Sequence, residues 1–253
     1  MREETQKQLK IYSVLVFVLA IISAINVFAS IPSQLNSLQQ PLPASKPLLA
    51  LATFGITLIG YGLIGLLGYY LAKKLGWPGI FNGKEGWKKL FLRPLYIGLI
   101  MGIFLIFAQK VFVLFHNLGE LPHPPFPFSI LASMGAGVGE ELIFRLFLIS
   151  FWALILGFIF KKFNKQGIVN WIAIIIVALA FGAGHFPNVM FLYGLTSLSQ
   201  LPIIFIIEIL LLNGIIGVVA GKEFIKYGFI AAVGVHFWAD IVWHVIYGLF
   251  QIH

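Results

Sequence analysis

Seven stretches of this chain are long and apolar enough to cross a bilayer, and that feature constrains every later choice. They run near 11–29, 48–72, 94–115, 129–160, 168–186, 201–220 and 227–250. Each approaches or exceeds the roughly 20 residues that a helix needs to traverse a hydrocarbon core about 30 Å thick. Inside lipid a chain must satisfy its own backbone hydrogen bonds, and unbroken apolar runs of this length do so as helices. The expected fold class is therefore all-α: a polytopic transmembrane bundle of about seven helices, six to eight by count, forming a single integral membrane domain over residues 1–253. Only 10% of the residues are charged, against roughly 25% in soluble domains, so the lipid bilayer is the partner of most of the surface.

The charges that remain are sorted along the chain. Arg2, Lys7 and Lys10 precede the first span, Lys46 stands alone in the next loop, and six basic residues fall between Lys73 and Arg93. No basic residue lies from His116 to Phe128; Lys161, Lys162 and Lys165 follow; none lies from Phe186 to Gln200; then come Lys222 and Lys226. This alternation predicts a cytoplasmic N-terminus and an outer C-terminus. The net charge of +8 is thus a membrane signature, and nucleic acid is not an expected partner. From Trp77 to Arg93 the pattern turns amphipathic, with Trp77, Phe81 and Trp87 interleaved with Lys84, Lys88 and Lys89, which predicts a short helix lying in the interface. The fourth span is too long to stand upright and must tilt or project. Val27-Phe28-Ala29 resembles a signal-peptidase site, but the preceding apolar stretch is long for a signal peptide, and an uncleaved anchor is expected. With no cysteine in the chain, disulfides, thiolate catalysis and Cys-based metal sites are excluded.

Chemistry must come from the few polar residues placed in lipid: Glu140, Glu141, Arg145, Glu208 and Asp240, with His185, His236 and His244. A charged residue at mid-bilayer costs roughly 2.5–3.5 kcal/mol on insertion scales, and such residues mark functional cavities or pair with one another. Glu141 and Arg145 are four apart and share a helical face, whereas Glu140 is turned about 100° away. Glu140 is the carboxylate left free. Phe181 and His185 are four apart in the fifth span, and His236, Asp240 and His244 recur at four-residue intervals in the seventh. Gly135, Gly137 and Gly139 before the glutamates, and Gly182 and Gly184 before His185, allow close helix approach. Glu208, with Asn213 nearby, is expected to be a packing or cavity residue.

A carboxylate beside an imidazole can deprotonate water, and further donors can hold the oxyanion formed when that water adds to a carbonyl. Glu140, His185, His236 and Asp240 are also acceptable Zn²⁺ ligands. The chain nevertheless lacks His-Glu-x-x-His, and it lacks the Gly-x-Ser-Gly and Gly-x-Gly-Asp signatures of other intramembrane proteases. Glutamate and histidine chemistry without a metal or cofactor is the expectation.

Glu140-Glu141-x-x-x-Arg145, Phe181-x-x-x-His185 and His236-x-x-x-Asp240 stand in that order on successive spans. In this the chain resembles the CPBP family, the type II CAAX prenyl endopeptidases and bacteriocin-processing enzymes, also described as abortive-infection proteins. The resemblance covers residues 94–250, the expected catalytic core. It implies an intramembrane glutamic endopeptidase acting on a membrane-associated peptide or protein, prenylated CAAX substrates included. Glu140 assisted by His185 would activate water, His236 and Asp240 would bind the oxyanion, and Glu141, Arg145 and Phe181 would support the site. The family varies between Asn and Asp at the last position; an acid at 240 donates to an oxyanion only when protonated, and orienting His236 is its other available role. Two further readings use the same cluster: a membrane scaffold or immunity protein that binds a partner helix, and a proton-coupled transporter, the latter disfavoured by the absence of repeated halves. Counted along straight helices, Glu140 and His185 lie ~30 Å from their basic flanks and His236 only ~15 Å, so a common site demands tilted, broken or displaced helices.

Overall fold

In the computed structural model the described residues are 2–38, 44–161 and 165–251, without the side chains of 29–38. Lys162 and the side chain of Ala29 lie outside them. The described residues form seven long helices, with a 3₁₀ turn at Leu198–Gln200 besides: α1 (Arg2–Leu38), α2 (Lys46–Lys74), α3 (Lys88–Phe115), α4 (Phe128–Ile159), α5 (Gln166–Leu192), α6 (Ile203–Tyr227) and α7 (Phe229–Phe250). Each contains a stretch long and apolar enough to cross a membrane, and no strand occurs among the described residues. The count read from hydropathy is therefore correct. Several limits differ: α1 runs from Arg2 to Leu38, α3 begins at Lys88, α6 runs on to Tyr227, and α5 continues to Leu192 after a turn at Gly184 and His185.

Helices α4 and α7 occupy the middle. α4 packs against α1, α2, α5 and α7, while α7 packs against α3, α4 and α6. Leu51, Ile56 and Leu63 of α2 and Ile100 and Phe107 of α3 face outward, as a lipid-solvated bundle requires. Small residues set the closest approaches. A Cβ at Gly98 would stand 2.6 Å from Val235 O, and one at Gly102 would stand 2.5 Å from Val242 Cβ and 2.7 Å from Ala239 O. Helix α3 thus lies against the α7 backbone, the packing that small residues permit where lipid supplies no hydrophobic drive between helices. Among the glycines beside the acidic pair, Gly137 performs this role toward Phe237, at 3.2 Å.

The two central helices share an irregularity. α4 changes from α to π winding over Leu142–Ile149, directly after Glu141, and α7 does so over Ile241–Ile246, directly after Asp240. Such wider turns are rare and concentrate at functional positions.

The stretch from Trp77 onward departs from the expected interfacial helix. Gly76 and Gly79 take φ of 76° and 81°, which ends helical winding, and regular structure resumes only at Lys88, as the first turn of α3. Trp77, Ile80 and Phe81 are buried rather than laid on the membrane. The backbone pairs instead with the α6–α7 turn: Phe229 N–H donates to Gly79 O and Ile230 N–H to Ile80 O, both at 2.9 Å, and Asn82 N–H donates to Tyr227 O at 2.9 Å. The first N–H groups of α7, orphaned in any helix, are satisfied by this loop. Gly228 (φ 97°) permits the contact, because a Cβ there would meet Phe81 Cα at 2.8 Å. Gln8 of α1 closes the arrangement, accepting from Ile80 N–H at 3.0 Å and donating to Phe81 O at 3.3 Å.

Tyr227, Gly228 and Phe229 are buried beneath the same loop, and His236 Nε2 comes within 3.9 Å of Glu140 although it stands much nearer its basic flank along the chain than Glu140 and His185 stand from theirs. Gly102→Ala is expected to destabilise the protein by about 1–3 kcal/mol through overpacking against α7, read as a lowered midpoint of thermal unfolding in detergent. Gly55→Ala, where a Cβ meets nothing within 4 Å, should leave that midpoint unchanged.

Candidate active site

Glu141 is the fixed point of the polar cluster. Its Oε1 lies 3.0 Å from Arg145 Nη1 on its own helix and 2.8 Å from His236 Nδ1 on α7. Glu141 and Arg145 are both fully buried, so each charge rests on the other. The Arg145 guanidinium also stacks on the Phe181 ring, with Cζ 4.2 Å from the centroid, a contact favoured for arginine over an aromatic face. Phe181 in turn meets His185 edge-on at 4.9 Å and His236 at 5.6 Å. One aromatic ring therefore separates the two imidazoles and carries the cation beneath them.

His185 sits where α5 breaks. Its Nδ1–H donates to Phe181 O at 2.8 Å, a backbone acceptor that fixes the tautomer and leaves the Nε2 lone pair free. That Nε2 lies 4.0 Å from Glu140 Oε2, and His236 Nε2 lies 3.9 Å from the same oxygen. Both separations exceed a direct hydrogen bond and suit groups that share a water. The Glu140 and His185 side chains retain 36% and 30% of their exposure, so the site can be wetted on this side while Glu141 stays dry. Asp240 Oδ2 is 3.6 Å from His236 Nε2. Glu140, His185, His236 and Asp240 thus surround one small volume, with Glu141, Arg145 and Phe181 packed behind it.

Of the two roles left open for Asp240, the geometry gives the Nδ1 contact of His236 to Glu141, and Asp240 stands at Nε2, beside Glu140. Spacing along the chain could not show this, because it pairs Glu141 with Arg145 and is blind to a bond between α4 and α7. Among the described residues no group of three His, Asp and Glu side chains has the arrangement of a metal site.

Two further polar contacts gather around the loop 116–127. Glu208 accepts from His116, with Nε2 and Oε2 2.9 Å apart and both side chains buried; the tautomer follows from Nδ1 of His116, which accepts from Leu118 N–H at 3.3 Å. His244 faces His123, Nδ1 to Nδ1 at 3.0 Å. Neither partner was legible beforehand, since His116 and His123 lie in the loop and share no helical period with α6 or α7. Nearby, Tyr247 and Gln251 donate to Glu120, and Lys110 near the end of α3 stands 3.6 Å from it. Burial pushes the Glu120 carboxyl up, but Tyr247, Lys110 and Gln251 outweigh that and hold its pKa below the ordinary range.

Residues 122–242 match the family model described as type II CAAX prenyl endopeptidase, Rce1-like. The chain carries a CPBP-family domain. Members of the CPBP family are generally proteases. The matched segment opens in the loop before α4 and ends in the π turn of α7, so the CPBP domain contains all seven residues of the cluster, while α1, α2 and α3 lie outside it. No curated protein and no solved structure matches the chain.

Removing one member of a buried ion pair leaves the other uncompensated, at a cost of about 3–5 kcal/mol. Glu141→Gln should therefore lower the unfolding midpoint sharply, and adding Arg145→Met should restore much of the loss, since the second change removes the stranded cation.

Proposed function

We propose that this chain is an intramembrane glutamic endopeptidase in which Glu140 is the general base. The observation that carries the reading is the position of Glu140 Oε2, facing the Nε2 atoms of His185 and His236 at 4.0 and 3.9 Å from two other helices. A water between Glu140 and His185 donates one hydrogen to each and points a lone pair toward an incoming peptide carbonyl. Glu140 takes the proton as the water oxygen bonds to the carbonyl carbon, and it returns that proton to the nitrogen when the C–N bond breaks. The products are a carboxyl and an amine.

The negative charge that develops on the carbonyl oxygen is met by His236 Nε2–H, available when the ring carries both protons. Glu141, holding Nδ1, keeps that ring aimed. Asp240, on the Nε2 side, acts as the acid by donating a second hydrogen bond to that oxygen, or as a carboxylate by favouring the doubly protonated ring that supplies Nε2–H. The whole chain serves as one membrane domain, with residues 94–250 as its catalytic core and the basic end facing the cytoplasm. By the family likeness the substrate is a membrane-associated peptide or protein, with the C-terminal peptide of a prenylated CAAX protein the first to try.

The test is cleavage of a prenylated peptide, and of its unprenylated twin, by the purified protein in vesicles. Loss of a positioned base or its partner costs typically 10²–10⁴ in rate. Glu140→Gln and His185→Ala should each lower kcat/KM by at least about 100-fold while the unfolding midpoint stays near that of the parent. Full activity in either variant would rule the mechanism out. A second measurement concerns metal: activity is expected to persist in a strong chelator, and its loss there with recovery on adding Zn²⁺ would assign the site to a metalloprotease.

A further inference from the structure

Three cations converge on one buried ring at the basic end of the bundle. Lys89 Nζ lies 5.8 Å, Arg93 Cζ 5.4 Å and Lys226 Nζ 5.2 Å from the centroid of Tyr227. Lys89 and Arg93 belong to the first turns of α3 and Lys226 to the last turn of α6, so tertiary structure assembles the group. Like charges held this close repel. The carboxylates nearby do not neutralise them all: Glu223 is engaged by Arg93 through two bonds of 2.9 and 2.8 Å, and Glu85 reaches Lys89 only at 3.9 Å. Among the described residues, ion pairs leave Lys226 without a carboxylate.

The surroundings specify where this charge sits. Trp87 and Phe91, 62% and 56% exposed, flank Lys88 and Lys89 on the same turns. Exposed aromatics interleaved with lysines belong at the headgroup level of a bilayer, where a phosphodiester carries the complementary charge. We propose that Lys89, Arg93 and Lys226, gathered on Tyr227, bind the phosphate of an anionic phospholipid whose acyl chains run along the outward face of α3. The site has a structural consequence. Asn82 bonds the Tyr227 carbonyl and the neighbouring loop caps α7, so a headgroup joining Lys89 to Lys226 ties the start of α3 to the root of the helix that bears His236 and Asp240.

Native mass spectrometry of the purified protein, after exchange into equal amounts of phosphatidylglycerol and phosphatidylcholine, tests this without reference to peptide cleavage. The parent should retain phosphatidylglycerol in preference. A lysine near an anionic surface contributes about fivefold, so the double variant Lys89→Gln, Lys226→Gln should lose roughly 30-fold of that preference. The control pair Lys73→Gln, Lys74→Gln removes the same charge from the end of α2 and should keep it. Should the double variant fail to fold, Lys226→Gln alone, at an exposed position, is expected to lose about fivefold. Equal losses in the two pairs would reveal only diffuse attraction and overturn the site, as would an unchanged preference in the Lys226 variants. Displacement of the lipid by millimolar inorganic phosphate would assign the cations to a soluble anion, and it too would overturn the proposal.

Discussion

The Glu141 carboxylate is the interaction on which the centre of this molecule depends. A buried guanidinium in a chain solvated by lipid is sustained only by an opposite charge at contact distance, and Arg145 has that in Glu141 at 3.0 Å. The same oxygen receives His236 at 2.8 Å, so one atom settles two problems: it compensates a cation within α4 and it joins α4 to α7. With Nδ1 held there, the ring of His236 can present only Nε2 toward Glu140 and Asp240. The Phe181 ring completes the fixture, resting on Arg145 and separating the two imidazoles. The second glutamate of the Glu-Glu pair therefore determines how the first is surrounded.

The start of α7 is fixed by a feature unrelated to the chemistry of the cluster. His236 lies only ten residues beyond Lys226, while His185 lies twenty beyond Lys165; straight helices starting from a common plane would leave them about 15 Å apart, yet both rings face Glu140 Oε2, at 3.9 and 4.0 Å. The α6–α7 turn is buried beneath the loop that follows Trp77, and its backbone groups are paired with Gly79, Ile80 and Asn82. Burial of a turn is tolerable only with such pairing, because the covered groups have no water to bond. The loop that resembled a surface helix thus holds the root of α7.

What could be read in the sequence is what depends on local periodicity. The seven spans follow from apolar length, and the i,i+4 pairing of Glu141 with Arg145 follows from helical geometry. The candidate residues follow from the rarity of charge in lipid, and those of the cluster fall within residues 122–242, which the family model matches. What could not be read depends on contacts between elements. The amphipathic look of 77–93 was misleading because Trp77 and Phe81 turn inward to cover the α6–α7 turn, a partner that no window of sequence includes. Glu208 looked unpaired because its imidazole, His116, sits in a loop 92 residues away. The π winding after Glu141 and Asp240 has no compositional sign, since Leu-Ile-Phe-Arg and Ile-Val-Trp-His are ordinary helical sequences.

The register of α7 follows from these contacts taken together. At its start the helix is pinned by backbone bonds to Gly79 and Ile80; in the middle His236 is bonded to Glu141; near its far end Trp243 donates to Gln109 at 2.8 Å and His244 meets His123. Gly98 and Gly102 of α3 bring a second backbone against its length. A shift of one residue would turn each side chain by about 100°, breaking the bond to Glu141, both contacts at the far end and the fit against α3 at once. Every alternative register therefore strands several polar groups in an apolar medium, and one rotation of α7 remains. That rotation places the Nε2 of His236 against Glu140, so the precision of the proposed site is a property of how the whole helix is held.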